Sequence, residues 1–254
     1  MFNVMIDIHA HLAFPDFDQD RVDVIKRCRE ELSAVIVSSA RYDEGLKALE
    51  MMDDHNGFIF VTLGYHPTEG GENYKDIIKL IRKNRERIVA VGEVGLDYHW
   101  EKNVAKRNQQ RVVFQEFIDL AREIKKPLVI HSWDAEWDCF DMVKDSGLPI
   151  VFHCFSGPTE LAKEIIDSGF YISMSTHIVF SKHHRKLAKI IPIGRLMLET
   201  DSPFLDPNHE KNYPWNIKLS AEKIAKIKGM TPENVLEQAK QNAVKFFGLK
   251  LSKR

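Results

Sequence analysis

The chain holds only three cysteines in 254 residues, Cys28, Cys139 and Cys154, an odd number with no two in a Cys-x-x-Cys spacing. That argues against a disulfide framework and a thiolate zinc site; reduced, buried thiols in a cytoplasmic protein are expected. No apolar run approaches the roughly 20 residues that a membrane helix needs. The opening MFNVMIDIHAHLAF has no basic leader and is interrupted by Asp7, His9 and His11, so it does not read as a signal peptide. An excess of charge of either sign is also lacking, the formal sum being −1. Bulk electrostatic affinity for nucleic acid is therefore not expected, which leaves room only for local basic rims. No Gly/Ser linker, low-complexity tract or internal repeat divides the chain, so residues 1–254 are expected to form one domain.

What is present is a rhythm. Hydrophobic residues make up 44% of the chain, enough for a large core. Short apolar runs recur at 4–9, 34–39, 58–64, 88–94, 127–132, 149–154, 170–175 and 195–200. Each is nearly continuous in apolar character, as strands buried on both faces are. Helix-like stretches lie between them. In the clearest, 103–124, Val112, Val113, Phe117, Leu120, Ala121 and Ile124 fall at three-to-four-residue spacing. Stretches 134–145 and 159–168 run towards Gly147 and Gly169, suited to ending helices. Two further helices are predicted after the eighth run, at 219–228 and 232–247, the last opened by Thr231-Pro232. Eight strands alternating with helices predict an α/β fold, a closed (β/α)8 TIM barrel with two additional C-terminal helices.

The ionisable residues gather at strand ends. His9 and His11 end the first run, Glu93 the fourth, His131 the fifth and His153 the sixth; Asp201 follows the eighth. In such a barrel these ends share one rim, where loops build active sites. Four histidines and two carboxylates clustered there carry a desolvation cost that bound cations offset. Imidazole and carboxylate suit Zn²⁺, Mn²⁺, Co²⁺ or Mg²⁺. Six ligands suit two ions, with Glu93 as the bridge: His9, His11, Glu93 and Asp201 for one, Glu93, His131 and His153 for the other. Water held between two such ions loses a proton near neutral pH and becomes a nucleophile.

Six segments carry a family resemblance: Asp7-Ile8-His9-Ala10-His11, Gly64-Tyr65-His66-Pro67, the stretch from Gly92 to Tyr98, that from Pro127 to Ser132, His153-Cys154-Phe155-Ser156-Gly157, and Leu198 to Pro203. In order and over nearly the whole chain, the sequence resembles the TatD-type deoxyribonucleases of the amidohydrolase superfamily. The resemblance implies a TIM barrel, a divalent-metal hydrolase and a DNase, often working 3′ to 5′. It implies the same six metal ligands. Three positions depart from the family pattern. Trp133 stands where an arginine is usual, Phe117 where a glutamine is expected, and Lys211-Asn212 replaces an Arg-Asn pair.

On this reading Glu93 and Asp201 are the catalytic residues, Asp201 taking the proton of the attacking water. DNA is the expected partner, as single strands or 3′ ends, and His66, Trp133, Lys211 and Asn212 are candidate substrate contacts. Asp7 is expected to point inward and support a ligand histidine, and Cys154 to point away from the ions. Tyr65, Tyr98, Trp100, Trp133 and Phe155 could stack on bases. Basic runs at Lys102, Lys106, Arg107 and Arg111 and at Lys182 to Arg185 could guide phosphates. Two other readings remain: a superfamily hydrolase cleaving a carbon-centred ester or amide, and a non-catalytic metal-binding scaffold.

Overall fold

A computed structural model describes residues 4–70 and 73–252. Its strands are β1 (Ile6–Ala10), β2 (Ala34–Ser39), β3 (Ile59–Leu63), β4 (Ala90–Asp97), β5 (Leu128–Trp133), β6 (Ile150–Phe152), β7 (Tyr171–Met174) and β8 (Leu196–Leu198). They form a single eight-stranded sheet in chain order, every neighbouring pair parallel. Between them run α1 (Arg21–Glu31), α2 (Tyr42–Asp54), α3 (Tyr74–Lys83), α4 (Val104–Ile124), α5 (Glu136–Val143), α6 (Thr159–Asp167) and α7 (Lys182–Ile190). Two more, α8 (Ile217–Lys228) and α9 (Pro232–Phe247), follow β8. This is the predicted (β/α)8 barrel with its C-terminal helices. Among the described residues no helix is long and apolar enough to cross a membrane.

The ring closes between β8 and β1 through the chain just beyond each. Asp201 N donates to His9 O at 3.0 Å and His11 N to Ser202 O at 2.7 Å. The Asp7 carboxylate adds a second tie, accepting from Thr200 N at 3.1 Å and from Thr200 Oγ1 at 2.5 Å.

Two apolar layers hold the barrel. The larger lies between strands and helices, where Val35, Val61, Leu128, Phe152 and Ile172 meet Ile25, Ile81, Phe114 and Leu161. The smaller fills the barrel itself: Ile6, Ile8, Ile36, Val129, Val151, Tyr171 and Met197 pack with Ala243, Phe246 and Phe247 of α9. Asn242 of α9 donates to the carbonyl of Leu196, at the start of β8, so the helix plugs the end where strands begin. On α4 the periodicity holds with one exchange. Val112 faces solvent, while Gln110, Val113, Phe114, Phe117, Leu120 and Ala121 are buried. Gly147 and Gly169 take positive φ, 73° and 84°, as expected of glycines just beyond α5 and α6.

Strand alternation places the site. Two residues beyond Val129 comes His131 and two beyond Val151 comes His153, both on the inward side; Asp201 reaches the same mouth from the turn after β8, at φ 57°. β1 breaks this rule. Its register against β2 shifts between Asp7 and Ala10. The expected inward Asp7 is corrected accordingly: it bonds the main chain of His9 and Thr200, not a ligand ring. It also lies near Cys28 of α1, whose thiol is pushed up by burial and then by the Asp7 charge.

Candidate metal centre

β4 carries Glu93 into the middle of the mouth because glycines let its neighbours approach. A Cβ at Gly64 would lie 2.3 Å from the Glu93 carbonyl oxygen, and one at Gly95 would lie 1.9 Å from that of His131. Only a residue without a side chain fits either place. The β4 register against β5 also shifts, between Val91 and Val94, and Glu93 sits in that irregularity.

Around Glu93 the imidazoles converge. His9 Nε2 is 3.3 Å from Glu93 Oε2 and 3.3 Å from His11 Nε2. His11 Nε2 is 3.2 Å from Asp201 Oδ1 and 3.7 Å from Glu93 Oε1. On the other side His153 Nε2 lies 3.0 Å from Glu93 Oε2 and 3.3 Å from His131 Nδ1, which is 3.9 Å from the same oxygen. The His9 and His153 rings stack, with centroids 4.0 Å apart. A tetrahedral ion with bonds of about 2.0–2.1 Å separates its ligand atoms by about 3.3–3.4 Å. The two clusters His9, His11, Glu93 and Glu93, His131, His153 have that spacing and share Glu93, so the donor set fits a pair of ions. Asp201 stands beside the first cluster, 3.8 Å from His9 Nε2.

The charges support one another. Burial works against ionised Glu93, yet His9 and the bond from His153 outweigh it and hold the carboxyl well below the usual range. Burial likewise opposes ionised Asp201, and the bond from His11 overcomes it, lowering that carboxyl. His153 is raised well above an ordinary histidine: burial is outweighed by Glu199 and Glu93.

Two further carboxylates stand behind the candidate ligands, Asp97 in hydrogen-bond reach of His131 and Glu199 near His153, whose buried Nδ1 has no hydrogen-bond partner. Asp97 Oδ2 is 3.1 Å from His131 Nε2, and its Oδ1 accepts from Trp100 N at 2.8 Å. Glu199 accepts from Cys154 N at 2.6 Å and from Ser173 Oγ at 2.7 Å, with Oε1 3.6 Å from His153 Nδ1. A carboxylate placed as Asp97 is fixes ring orientation at metal sites.

Above the cluster opens a cavity of about 590 Å³. His66 and Trp133 line it. The His66 ring meets His131 edge-on, centroids 4.3 Å apart, and burial followed by the His131 charge pushes it down to about 3. Lys211 and Asn212 do not reach the cavity. The Lys211 ammonium is held by both oxygens of Asp20 and by the Asp16 carbonyl, and Asn212 is buried, donating to Thr176 and the Thr200 carbonyl. Cys154 does line it, against expectation: β6 ends at Phe152, and Cys154 turns to φ 44°, so alternation no longer applies. Of the rim aromatics, Tyr65 and Phe155 are core residues and Trp100 is exposed.

The basic runs are largely committed to the fold. Arg107 bonds the carbonyls of Glu101 and Tyr98, Arg111 pairs with Asp138, and Arg185 bonds the carbonyls of Ile178 and Val179. Sequence reasoning overlooked Arg41, Ser156 and His177 in the cavity wall. Their one signal is position, in loops just beyond β2, β6 and β7.

The model of the family described as TatD related DNase matches residues 6–248. A metal-dependent hydrolase of Methanocaldococcus jannaschii is 41% identical, covering 97% of this chain and 98% of its own. Deoxyribonuclease TATDN3 of Homo sapiens is 33% identical, covering 96% of this chain and 94% of its own. The crystal structure of a TatD homolog from Escherichia coli superposes with a TM-score of 0.89 at 22% identity, over 98% of this chain and 100% of that one. A family model spanning nearly the whole barrel, and relatives matched end to end, leave one assignment: the chain belongs to the TatD family of metal-dependent hydrolases.

Proposed function

We propose that this single-domain barrel is a two-metal phosphodiesterase acting on DNA, taking single strands or 3′ ends and working 3′ to 5′ in the cytoplasm, with no membrane partner. The observation that carries the reading is the sharing of Glu93 by two donor clusters at the base of one cavity. A relative named as a deoxyribonuclease supports the substrate class. His9, His11, Glu93 and Asp201 would hold one divalent cation, Zn²⁺, Mn²⁺, Co²⁺ or Mg²⁺, and Glu93, His131 and His153 the other. When bound, such a pair supplies Lewis-acid activation of water and neutralises charge at the phosphoryl oxygens.

The chain does the rest. Asp201 would accept the proton from the attacking water, its carboxylate lying 3.2 Å from His11 Nε2. Glu93, shared by both clusters, would keep them in register. Neutral His66 offers a hydrogen bond to a phosphoryl oxygen through Nε2, because its Nδ1 accepts from Thr68 N. A cavity of about 590 Å³ is the size of a small-molecule pocket and admits a strand end rather than a rigid duplex.

The test is hydrolysis of end-labelled single-stranded and blunt duplex DNA by metal-loaded protein, with metal content measured alongside. Release of mononucleotides from 3′ ends with two ions per chain is expected. Turnover of an ester with no cleavage of DNA would instead favour the carbon-centred reaction, and metal binding without turnover a scaffold.

A further inference from the structure

One side of the cavity wall is aromatic. Trp133 ends β5, two residues beyond His131, and its main chain is pinned to β4 by Tyr98 N at 2.8 Å. The His99 ring lies flat on it, centroids 4.0 Å apart and 7° from parallel, with His99 Nδ1 3.2 Å from Asp134. Trp100 stands upright against both, at 85° to Trp133 and 88° to His99. These two indoles remain 68% and 40% exposed, Trp100 the more so, and both line the cavity that contains Glu93 and His131. Large apolar rings held this firmly in contact with water are costly unless something covers them.

The opposite kind of recognition is scarce. Among the described residues lining the cavity, Arg41 is the only lysine or arginine. Its guanidinium already faces two carboxylates, Glu44 at 3.2 Å and Glu69 at 3.3 Å. A site that took its substrate through many phosphates would need several free cations. The wall instead offers π-faces, which accept any base and discriminate by stacking.

We propose that Trp100 and Trp133 form a shelf on which an unpaired nucleobase stacks against one indole and meets the other edge-on, next to the bond being cleaved, making the base, rather than the neighbouring phosphates, the main source of substrate affinity. Asp97 sets the distance. One of its oxygens meets His131 Nε2 and the other accepts the Trp100 amide, so a base on the shelf is registered against a candidate metal ligand through one rigid carboxylate. Asp97 is thus a positioning residue. Its own amide is fixed by Gln110 Oε1 at 3.0 Å.

The inference rests on the phosphodiesterase reading, and the experiment separates the two. Metal-loaded protein is given a thymidine pentanucleotide and a pentamer of the same backbone without bases. In parallel, tryptophan emission is followed by stopped flow within the first turnover. Both substrates should be cut, the base-bearing one with a KM lower by about tenfold or more, and only that one should quench emission. The Trp100→Ala/Trp133→Ala double variant should raise KM for the base-bearing pentamer by about tenfold or more, leave its kcat within about twofold, and leave the abasic substrate unchanged. The Trp100→Phe/Trp133→Phe pair should restore most of the difference. Equal KM values for the two substrates without quenching, in a wild type that cleaves both, would overturn the shelf and leave the reaction standing. An equal rise in KM for both substrates in the alanine pair would reduce the tryptophans to loop packing, again overturning it. Quenching by the base-bearing strand with no cleavage of any phosphodiester would overturn the reaction and keep the shelf. A shelf-dependent KM for an aromatic ester, without quenching by bases, would assign the shelf to a carbon-centred substrate.

Discussion

At the floor of the barrel Ile6, Ile36, Val129, Val151 and Met197 meet Phe246 and Phe247 with no charged side chain among them. At the mouth, where the strands end, four imidazoles and two carboxylates crowd together, with the buried Nδ1 atoms of His9, His11 and His153 unpartnered. The floor is arranged for dense packing and the mouth for charge. Polar atoms left without partners cost stability, so the floor must carry the fold while the mouth carries the chemistry. Substitutions at the two ends should therefore separate rate from stability.

The largest effect is expected for Glu93→Gln. Removing the shared carboxylate should lower hydrolysis by about a thousandfold or more and empty both ion positions, as elemental analysis would record. The melting temperature of metal-free protein should stay near that of the wild type. A metal-free variant that melts far earlier would break the division, by making Glu93 part of the fold. Next comes Asp201→Asn, which should lower kcat by about 10²–10⁴-fold while most metal stays bound; near-normal kcat would remove Asp201 as proton acceptor.

The floor should behave in the opposite way. Phe246 meets the Tyr171 ring edge-on, centroids 5.4 Å apart. Its replacement by alanine should cost about 3–5 kcal/mol in denaturant unfolding and leave activity per folded molecule unchanged. Loss of activity without loss of stability would show that α9 reaches the chemistry.

Smaller effects sharpen the boundary. Burial, then His177 and His183, push His184 down to about 3, so it is neutral when folded. The unfolded chain takes up that proton near pH 6.5, which the folded one cannot. Its neutral burial therefore leaves stability intact above about pH 6.5 and erodes it as pH falls towards 3. Melting curves of His184→Gln should fall less steeply than wild type over that range; parallel curves would count against the buried neutral imidazole. The smallest effect is salt. With Arg41 as the only lysine or arginine in the described cavity lining, affinity for single strands should fall with a log–log slope of only about −0.7 to −1.4. A slope several times steeper would bring the outer basic runs back into binding.

Much of this was legible in the sequence because the eight runs are nearly continuously apolar and five of them end in, or lead directly into, ligand-type residues. His131 and His153 follow strand alternation, so their side could be read directly. Asp7 could not, because the irregularity in β1 changes which face a residue takes, and irregular pairing leaves no mark in composition. Cys154 escaped for a related reason: its strand stops two residues earlier. The basic runs misled because charge count does not say where a guanidinium bends, and Arg107 and Arg185 bend back onto main-chain carbonyls. Gln110, overlooked beside the apolar stripe of α4, is buried and holds Asp97.

The seam between β1 and β8 also bears on time. Asp7 and Thr200, which tie it, are 193 residues apart in the chain. At roughly 5–20 residues per second, a ribosome needs about 10–40 s to make the second after the first. Throughout that interval β1 has no partner on one edge, and His9 and His11 wait without Asp201. An ion arriving early meets an unfinished seat, and an exposed strand edge invites wrong pairing. The order of synthesis thus makes completion of the proposed metal site wait for the segment that follows the eighth strand.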